Sequence, residues 1–267
     1  MKKNIYNLYF LPLLLVVFFM LPACNRTGTD ANKTTDSISK ETNNTDANKL
    51  QEYVIPKELK YFEKAGNFLV DKFYPIGWSK DGKIAYIVEP ADEAMGMYFF
   101  QLIIFNTQND KEEWSFKPEP IEKGTFKSVW EKNYELFKTN LNNFKIIQQT
   151  DFAINKPSFS YKSKDYALKL ETKLETDEFG FGFEVIKEVK VLVDSKQMGL
   201  KQILSQKLKS SMVISASATG SIISPFEEKM VVITYLERVG YEGPPNVIQF
   251  LITGCNLSEG FKKNANS

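Results

Sequence analysis

The chain has 267 residues, a formal net charge of +1 and no histidine. The absence of histidine excludes Ser-His-Asp and Cys-His catalytic arrangements and zinc sites that use histidine ligands. Arginine occurs only at Arg26 and Arg238. Because DNA binding depends on many phosphate contacts from basic side chains, we expect no nucleic-acid partner.

The first 23 residues have the pattern of an export signal. Lys2 and Lys3 supply a short positive region, and the chain from Leu8 to Leu21 is almost wholly apolar. This run is shorter than the roughly 20 residues that a membrane-spanning helix requires, whereas it fits the apolar segment of a secretory signal. We therefore predict that residues 1–23 are a signal peptide, with an uncleaved membrane anchor as the alternative.

The signal ends in Leu21-Pro22-Ala23-Cys24, which resembles the lipobox of bacterial lipoproteins. The resemblance implies cleavage between Ala23 and Cys24 and attachment of a diacylglycerol group to the Cys24 thiol. It places the mature protein in the bacterial cell envelope, at the periplasmic or outer face of a membrane, held by palmitate-type acyl chains. An ordinary signal peptide followed by a chance cysteine is the alternative.

Residues 24–49 are predicted to be a disordered tether. Asn, Thr, Asp, Ser and Lys dominate this segment, and Ile38 is its only sizeable apolar residue. Such a composition cannot bury enough apolar surface to offset the entropy that is lost on ordering. Residues 50–263 then form a single β-rich domain, which is long enough to build a hydrophobic core.

The clearest element of this domain is a β-hairpin. Aromatic and β-branched residues flank Ser79-Lys80-Asp81-Gly82. Asp-Gly between two such runs is a strong hairpin signal, because glycine accepts the positive φ that the turn needs. The pattern predicts strands at 74–79 and 83–89, followed by a further strand at 98–105.

Two segments have the spacing of helices. Between residues 125 and 144, apolar side chains recur at three- and four-residue steps, and Thr125 suits the N-cap position. This pattern predicts one amphipathic helix. A shorter helix is predicted near 198–209, after Asp194 and Ser195, from the spacing of Leu200, Ile203, Leu204 and Leu208.

The remaining apolar runs are typical of strands separated by polar or Gly-Pro turns. They predict strands at 158–161, 166–170, 181–193, 213–223, 230–236 and 247–253. The predicted fold class is therefore mainly β, with antiparallel sheets in a propeller-like or stacked arrangement.

Three hairpins, at 78–86, 161–168 and 223–231, share a polar turn with Ser and Lys before a strand. The first, Trp78-Ser-Lys-Asp-Gly-Lys83, resembles the Trp-Ser-Pro-Asp-Gly-Lys signature of TolB-type β-propeller blades. The hairpins are spaced irregularly, so the sequence does not predict a closed ring.

The wider layout of residues 74–255 resembles a family of predicted secreted bacterial proteins of unknown function. That family implies no catalytic residues. The matching pieces are Ser79–Gly82, Trp114, the predicted helix at 125–144, Ser224-Pro225 and Gly240-Tyr-Glu-Gly243.

Three carboxylates, Glu89, Asp92 and Glu93, follow the first hairpin. Carboxylates grouped on one loop can hold calcium, but these lack the alternating spacing and the fixed glycine of a recognised calcium loop. We interpret the segment as a solvated loop and predict neither a metal site nor a cofactor.

We predict no catalytic or phosphate-binding role for the remaining acidic pairs, the glycine-rich segment or Cys255. Glu112-Glu113 and Glu227-Glu228 are adjacent pairs that would point to opposite faces of a strand, which does not suit a two-carboxylate hydrolase. The glycine-rich segment Phe179–Phe183 lacks the lysine of a phosphate loop. Cys255 has no partner once Cys24 is lipidated, and we interpret it as a buried, inert thiol, with intermolecular pairing or redox chemistry as the alternative.

The best candidate for contact with a partner is the turn Tyr241-Glu242-Gly243-Pro244-Pro245. It combines two prolines with an aromatic side chain, although it could also serve only to reverse the chain. We predict an envelope lipoprotein that is a non-enzymatic binding or scaffold module with an envelope protein as partner. The alternatives are a carboxylate-dependent glycan-acting enzyme and a purely structural lipoprotein.

Overall fold

The computed structural model describes residues 50–93, 96–176, 182, 184–208 and 212–263. The predicted signal peptide at 1–23, the predicted lipidation site Cys24 and the predicted tether at 24–49 lie outside the described residues. Within the described part of the chain, none of the helices is long and apolar enough to span a membrane.

The predicted Asp-Gly hairpin is confirmed and forms the centre of the first sheet, whose strand order is β6-β5-β3-β2-β8. In the turn, the Ser79 N–H donates to the Lys83 carbonyl at 2.9 Å, and Gly82 has a φ of +83°. The strands of this part of the chain are β1 (Phe68–Val70), β2 (Lys72–Trp78), β3 (Lys83–Glu89), β4 (Met97–Tyr98), β5 (Gln101–Asn106), β6 (Lys111–Phe116), β7 (Ile121–Glu122) and β8 (Ile147–Gln148).

The amphipathic segment predicted at 125–144 is helical but divided into α1 (Phe126–Lys132) and α2 (Tyr134–Asn143). Thr125 caps α1, as predicted, by accepting the Ser128 N–H at 3.2 Å. At the break, the Asn133 side-chain amide donates to the Val129 carbonyl at 2.8 Å, an example of a local side-chain bond that competes with the helix. The apolar faces of both helices pack on the first sheet.

The second sheet is a meander with the order β12-β11-β10-β9. Its strands, antiparallel throughout, are β9 (Ser158–Tyr161), β10 (Lys164–Thr176), β11 (Glu184–Ser195) and β12 (Gly199–Lys207).

The prediction of a helix near 198–209 is wrong, because residues 199–207 form strand β12. In its ladder with β11, Val191 pairs with Leu204 while Leu192 pairs with Gln202, so Ile203 is an extra, bulged residue. A bulge interrupts the two-residue alternation of a strand. The interrupted alternation imitates the three- and four-residue spacing of a helix, and both Ile203 and Leu204 pack against the core.

The third sheet joins the two ends of the domain. Its order is β1-β15-β14-β13, and β1 runs parallel to β15. The strands that follow the second sheet are β13 (Val213–Ile223), β14 (Lys229–Arg238) and β15 (Asn246–Asn256).

The third sheet lies between the other two. On β14, Val231 and Ile233 belong to the core cluster that contains Phe73 and Trp78 of the first sheet. The alternate residues Met230 and Val232 belong to the cluster that contains Val189 and Val191 of the second sheet. The sheets therefore stack in layers, with the helices outside the first sheet. No ring of sheets closes within the described ranges, so the propeller-like half of the prediction is not confirmed.

We expect Ile233→Ala to lower the free energy of unfolding by about 3 kcal/mol, because it leaves a cavity between the first and third sheets. Ile233 is fully buried, whereas Leu136, on α2, is 46% exposed. Leu136→Ala is the control and should change stability by less than about 1 kcal/mol. Urea unfolding measures both, and an equal effect of the two substitutions would contradict the proposed layering.

Candidate functional site

Two features that the sequence singled out separately meet at one cleft. The loop after β3 and the turn between β14 and β15 line a cavity of about 850 Å³, together with Leu69 of β1. They meet because β1 pairs with β15 while β2, which directly follows β1, pairs with β3. The cleft is therefore a product of the sheet order.

The turn is held in a tight conformation. The Gly243 N–H donates to the Gly240 carbonyl at 3.1 Å. A Cβ at Gly240 would lie 2.3 Å from the Gly243 oxygen and 2.5 Å from the Pro245 oxygen, so this position requires glycine. The turn presents the Tyr241 side chain to solvent, where it is 90% exposed. A turn is confirmed here, while its contact with a partner stays a prediction.

An ion pair joins the loop to the turn. The Arg238 guanidinium donates to both carboxylate oxygens of Glu93, with Nη1 at 3.3 Å from Oε2 and Nη2 in closer contact with Oε1. Glu93 Oε2 also accepts the Tyr241 N–H at 3.3 Å. Both charged side chains are about three-quarters buried, which protects the pair from the screening that weakens exposed ion pairs.

The three carboxylates considered as calcium ligands do not converge. Glu89 accepts hydrogen bonds from the Tyr74 and Tyr98 hydroxyls, each at 3.0 Å, and pairs with Lys72. Glu93 is engaged with Arg238 instead. Within the described ranges, no group of three acidic or cysteine side chains is arranged to hold a metal ion.

The sequence reasoning missed Asp71, which lies between β1 and β2. Its side chain is buried, and its Oδ1 accepts the Ala91 N–H at 2.9 Å, which ties this corner to the loop after β3. Burial raises the pKa of Asp71 to about 6, against opposing effects from the Ala91 N–H and the Arg238 charge. The sequence feature that could have identified Asp71 is the position of an acidic residue between two apolar strand segments.

The acidic pairs lie in separate ion pairs and hydrogen bonds away from the cleft. Their partners are Ser115 and Lys117 for Glu112, Asn106 for Glu113, Lys229 for Glu227, and Lys162 for Glu228.

Cys255 and the segment Phe179–Phe183 are the two remaining candidates from the sequence. The predicted burial of Cys255 is confirmed, and burial raises the pKa of its thiol to about 11, which disfavours the reactive thiolate. The segment Phe179–Phe183 lies outside the described residues except for Gly182.

Comparison with known proteins gave no match to a family model, a curated protein or a solved structure. The resemblances to lipoproteins, to TolB-type blades and to the secreted family therefore stay predictions.

We expect Asp71→Asn to change how stability depends on pH. The folded pKa of about 6 exceeds the unfolded value of about 3.9, so the folded state binds more protons between these values. Stability therefore falls as the pH rises through this window. Relative to Asp71→Asn, the wild type should lose about 2–3 kcal/mol between pH 4 and pH 7.

Urea unfolding at a series of pH values measures this difference. Asp151→Asn, which alters an exposed carboxylate, is the control and should follow the wild type. Parallel pH curves for the wild type and Asp71→Asn would show that burial does not perturb Asp71.

Proposed function

We propose that this protein is a membrane-anchored bacterial envelope lipoprotein whose β-rich domain binds a partner protein through the Tyr241–Pro245 turn. The observation that carries the proposal is the 90% exposure of Tyr241 on a turn that Glu93 and Arg238 hold beside a cavity of about 850 Å³.

The physical argument is preorganisation. Tyrosine offers a large apolar ring and a polar hydroxyl, and it is enriched among the residues that dominate binding energy. A turn that is already ordered loses little conformational entropy on association. The Glu93–Arg238 ion pair and the two prolines supply that order before any partner arrives.

The anchoring half of the proposal depends on Leu21–Cys24 and on the polar segment that follows. Each acyl methylene buried in a membrane contributes about 0.8 kcal/mol, so two or three chains on Cys24 hold a protein firmly. A 25-residue coil between Cys24 and the domain reaches roughly 25–30 Å, which lets the turn meet partners near the membrane.

The fold supports a scaffold role. Each of the three larger sheets in the described part of the chain has at least four strands in a mainly antiparallel order. The second and third sheets have four strands, as propeller blades do, and we include propeller-like units in the proposal on this ground.

The glycan-acting alternative has less support. It needs two carboxyl groups about 5–10 Å apart in one cleft and free to act on a substrate. Asp92, Glu93 and Glu242 line the cavity, but Glu93 is engaged with Arg238, and Asp71, whose raised pKa would suit an acid, is not among the lining residues. A purely structural lipoprotein would leave the exposure of Tyr241 unexplained.

We expect Cys24→Ala to abolish anchoring, because no thiol remains at the signal cleavage site to receive the diacylglycerol. The mutant should accumulate as an unprocessed or soluble product in fractionated cells, whereas the wild type requires detergent for extraction. Cys255→Ala is the control and should fractionate like the wild type. A Cys24→Ala protein that still matures and requires detergent would refute the lipoprotein assignment.

We expect Tyr241→Ala to reduce partner capture by about ten-fold or more, as is usual for a central aromatic contact. A photocrosslinking residue in place of Glu242, used in cells that produce the full-length chain, reports capture by mass spectrometry. Phe226→Ala is the control, since Phe226 is also a turn aromatic and is 39% exposed. Equal capture by the two variants would contradict binding through this turn.

A further inference from the structure

Among the described residues, strand β10 has a long outer edge with no neighbouring strand. β9 pairs with it only from Lys164 to Ala167, and the contact ends where the Leu168 N–H donates to the Pro157 carbonyl at 2.7 Å. From residue 169 to residue 176, β11 covers the inner edge, but no strand of the described residues pairs with the outer one. An unpaired edge of this length is a template for another strand.

The hydrogen-bonding groups on this edge can be assigned. Backbone groups of alternate residues point to the same side of a strand, and the Leu168 N–H points outward, toward β9. The N–H and C=O groups of Leu170, Thr172 and Leu174 therefore also point outward. The irregularity of the ladder after Lys173 adds its extra residue to β11, so the alternation along β10 is preserved.

The side chains along this edge are complementary to themselves in the reverse direction. The sequence from 169 to 176 is Lys-Leu-Glu-Thr-Lys-Leu-Glu-Thr. If a second copy lies antiparallel about a two-fold axis at Thr172, each Lys169 faces a Glu175, each Glu171 faces a Lys173, and each Leu170 faces a Leu174. Opposite charges and paired aliphatic side chains across strands are stabilising.

We propose that two copies of this chain associate by antiparallel pairing of their β10 edges, centred on Thr172. The pairing makes one continuous sheet from the second sheets of both copies, with the two-fold symmetry common in homodimers. The dimer proposal does not depend on the Tyr241 turn or on the lipid anchor, so it can be tested independently of the proposed function.

Charge disfavours the two neighbouring registers. Hydrogen bonding alone would allow the axis to pass through a neighbouring residue. If the axis passes through Glu171, each Glu171 faces the Glu171 of the second copy, and each Lys169 faces a Lys173. If the axis passes through Lys173, each Lys173 faces the Lys173 of the second copy, and each Glu171 faces a Glu175. Like charges directly opposite each other are destabilising, so both shifted registers are disfavoured.

The ion pairs that Lys169 and Lys173 make within one copy do not block this pairing. Lys173 pairs with Glu175 at 2.7 Å, and Lys169 with Asp194 at 2.5 Å, but the lysine side chains are 65% and 55% exposed. Exposed pairs of this kind contribute little and exchange readily. Leu174 is 47% exposed, and the pairing would place it beside Leu170 of the second copy.

The register predicts a specific disulfide. Directly opposed residues in a hydrogen-bonded antiparallel pair have Cα atoms about 5.5 Å apart, which is within the range for a disulfide. Thr172→Cys, produced in the full-length chain and oxidised in intact cells, should therefore give a covalent dimer on a non-reducing gel. Lys196→Cys is the matched control, because the Lys196 side chain is 81% exposed on a different hairpin and should not crosslink.

A charge exchange tests self-association against docking of another protein. In the Thr172→Cys background, Glu171→Lys or Lys173→Glu alone turns two attractive pairs into repulsive ones and should lower the dimer yield about ten-fold. The double variant Glu171→Lys with Lys173→Glu restores opposite charges between the copies. Combined with Glu188→Lys and Lys190→Glu, which restore the opposite charges that residues 171 and 173 face on β11, it should restore the yield. Dimer yields no higher than the Lys196→Cys control, yields unaffected by the single reversals, or a mixed disulfide with another protein would each overturn the proposal.

Discussion

The rest of the structure depends on the burial of β14 on both faces. Along this strand, successive apolar side chains enter opposite core clusters, with Val231 and Ile233 on one side and Met230 and Val232 on the other. A slip of one residue would send each side chain to the wrong face, so the register is strongly constrained. Both outer sheets therefore pack against the sheet that contains this strand.

The residues at the two ends of β14 contact loops of the first part of the chain. At its start, the buried Lys229 lies so close to Gly82 that a Cβ there would be 2.6 Å from the lysine Cδ, which brings the first hairpin turn against the third sheet. At its end, Arg238 joins the loop after β3 through Glu93. The exposed Tyr241 follows three residues later, so β14 leads directly from the core to this aromatic side chain.

Local signals predicted local elements well. The Asp-Gly turn at 81–82 and the cap at Thr125 both act within a few residues, and both form as expected. The failure near 198–209 has a physical cause, since the bulge at Ile203 exists only in the ladder with β11 and leaves no local mark. Asp71 was missed for a related reason, because its burial depends on the loop at Ala91 rather than on its own neighbours.

By itself, the sequence determined the element types of most of the domain, excluded histidine chemistry and identified a turn with an unusual aromatic. Only the tertiary structure decided that Glu93 meets Arg238, that the sheets stack, and that, within the part of the chain that the structure describes, no strand pairs with the outer edge of β10 beyond the four residues of β9. Helix and turn signals act over a few residues. Sheet order and the pairing of distant charges instead depend on burial summed over the whole core, which no short segment contains.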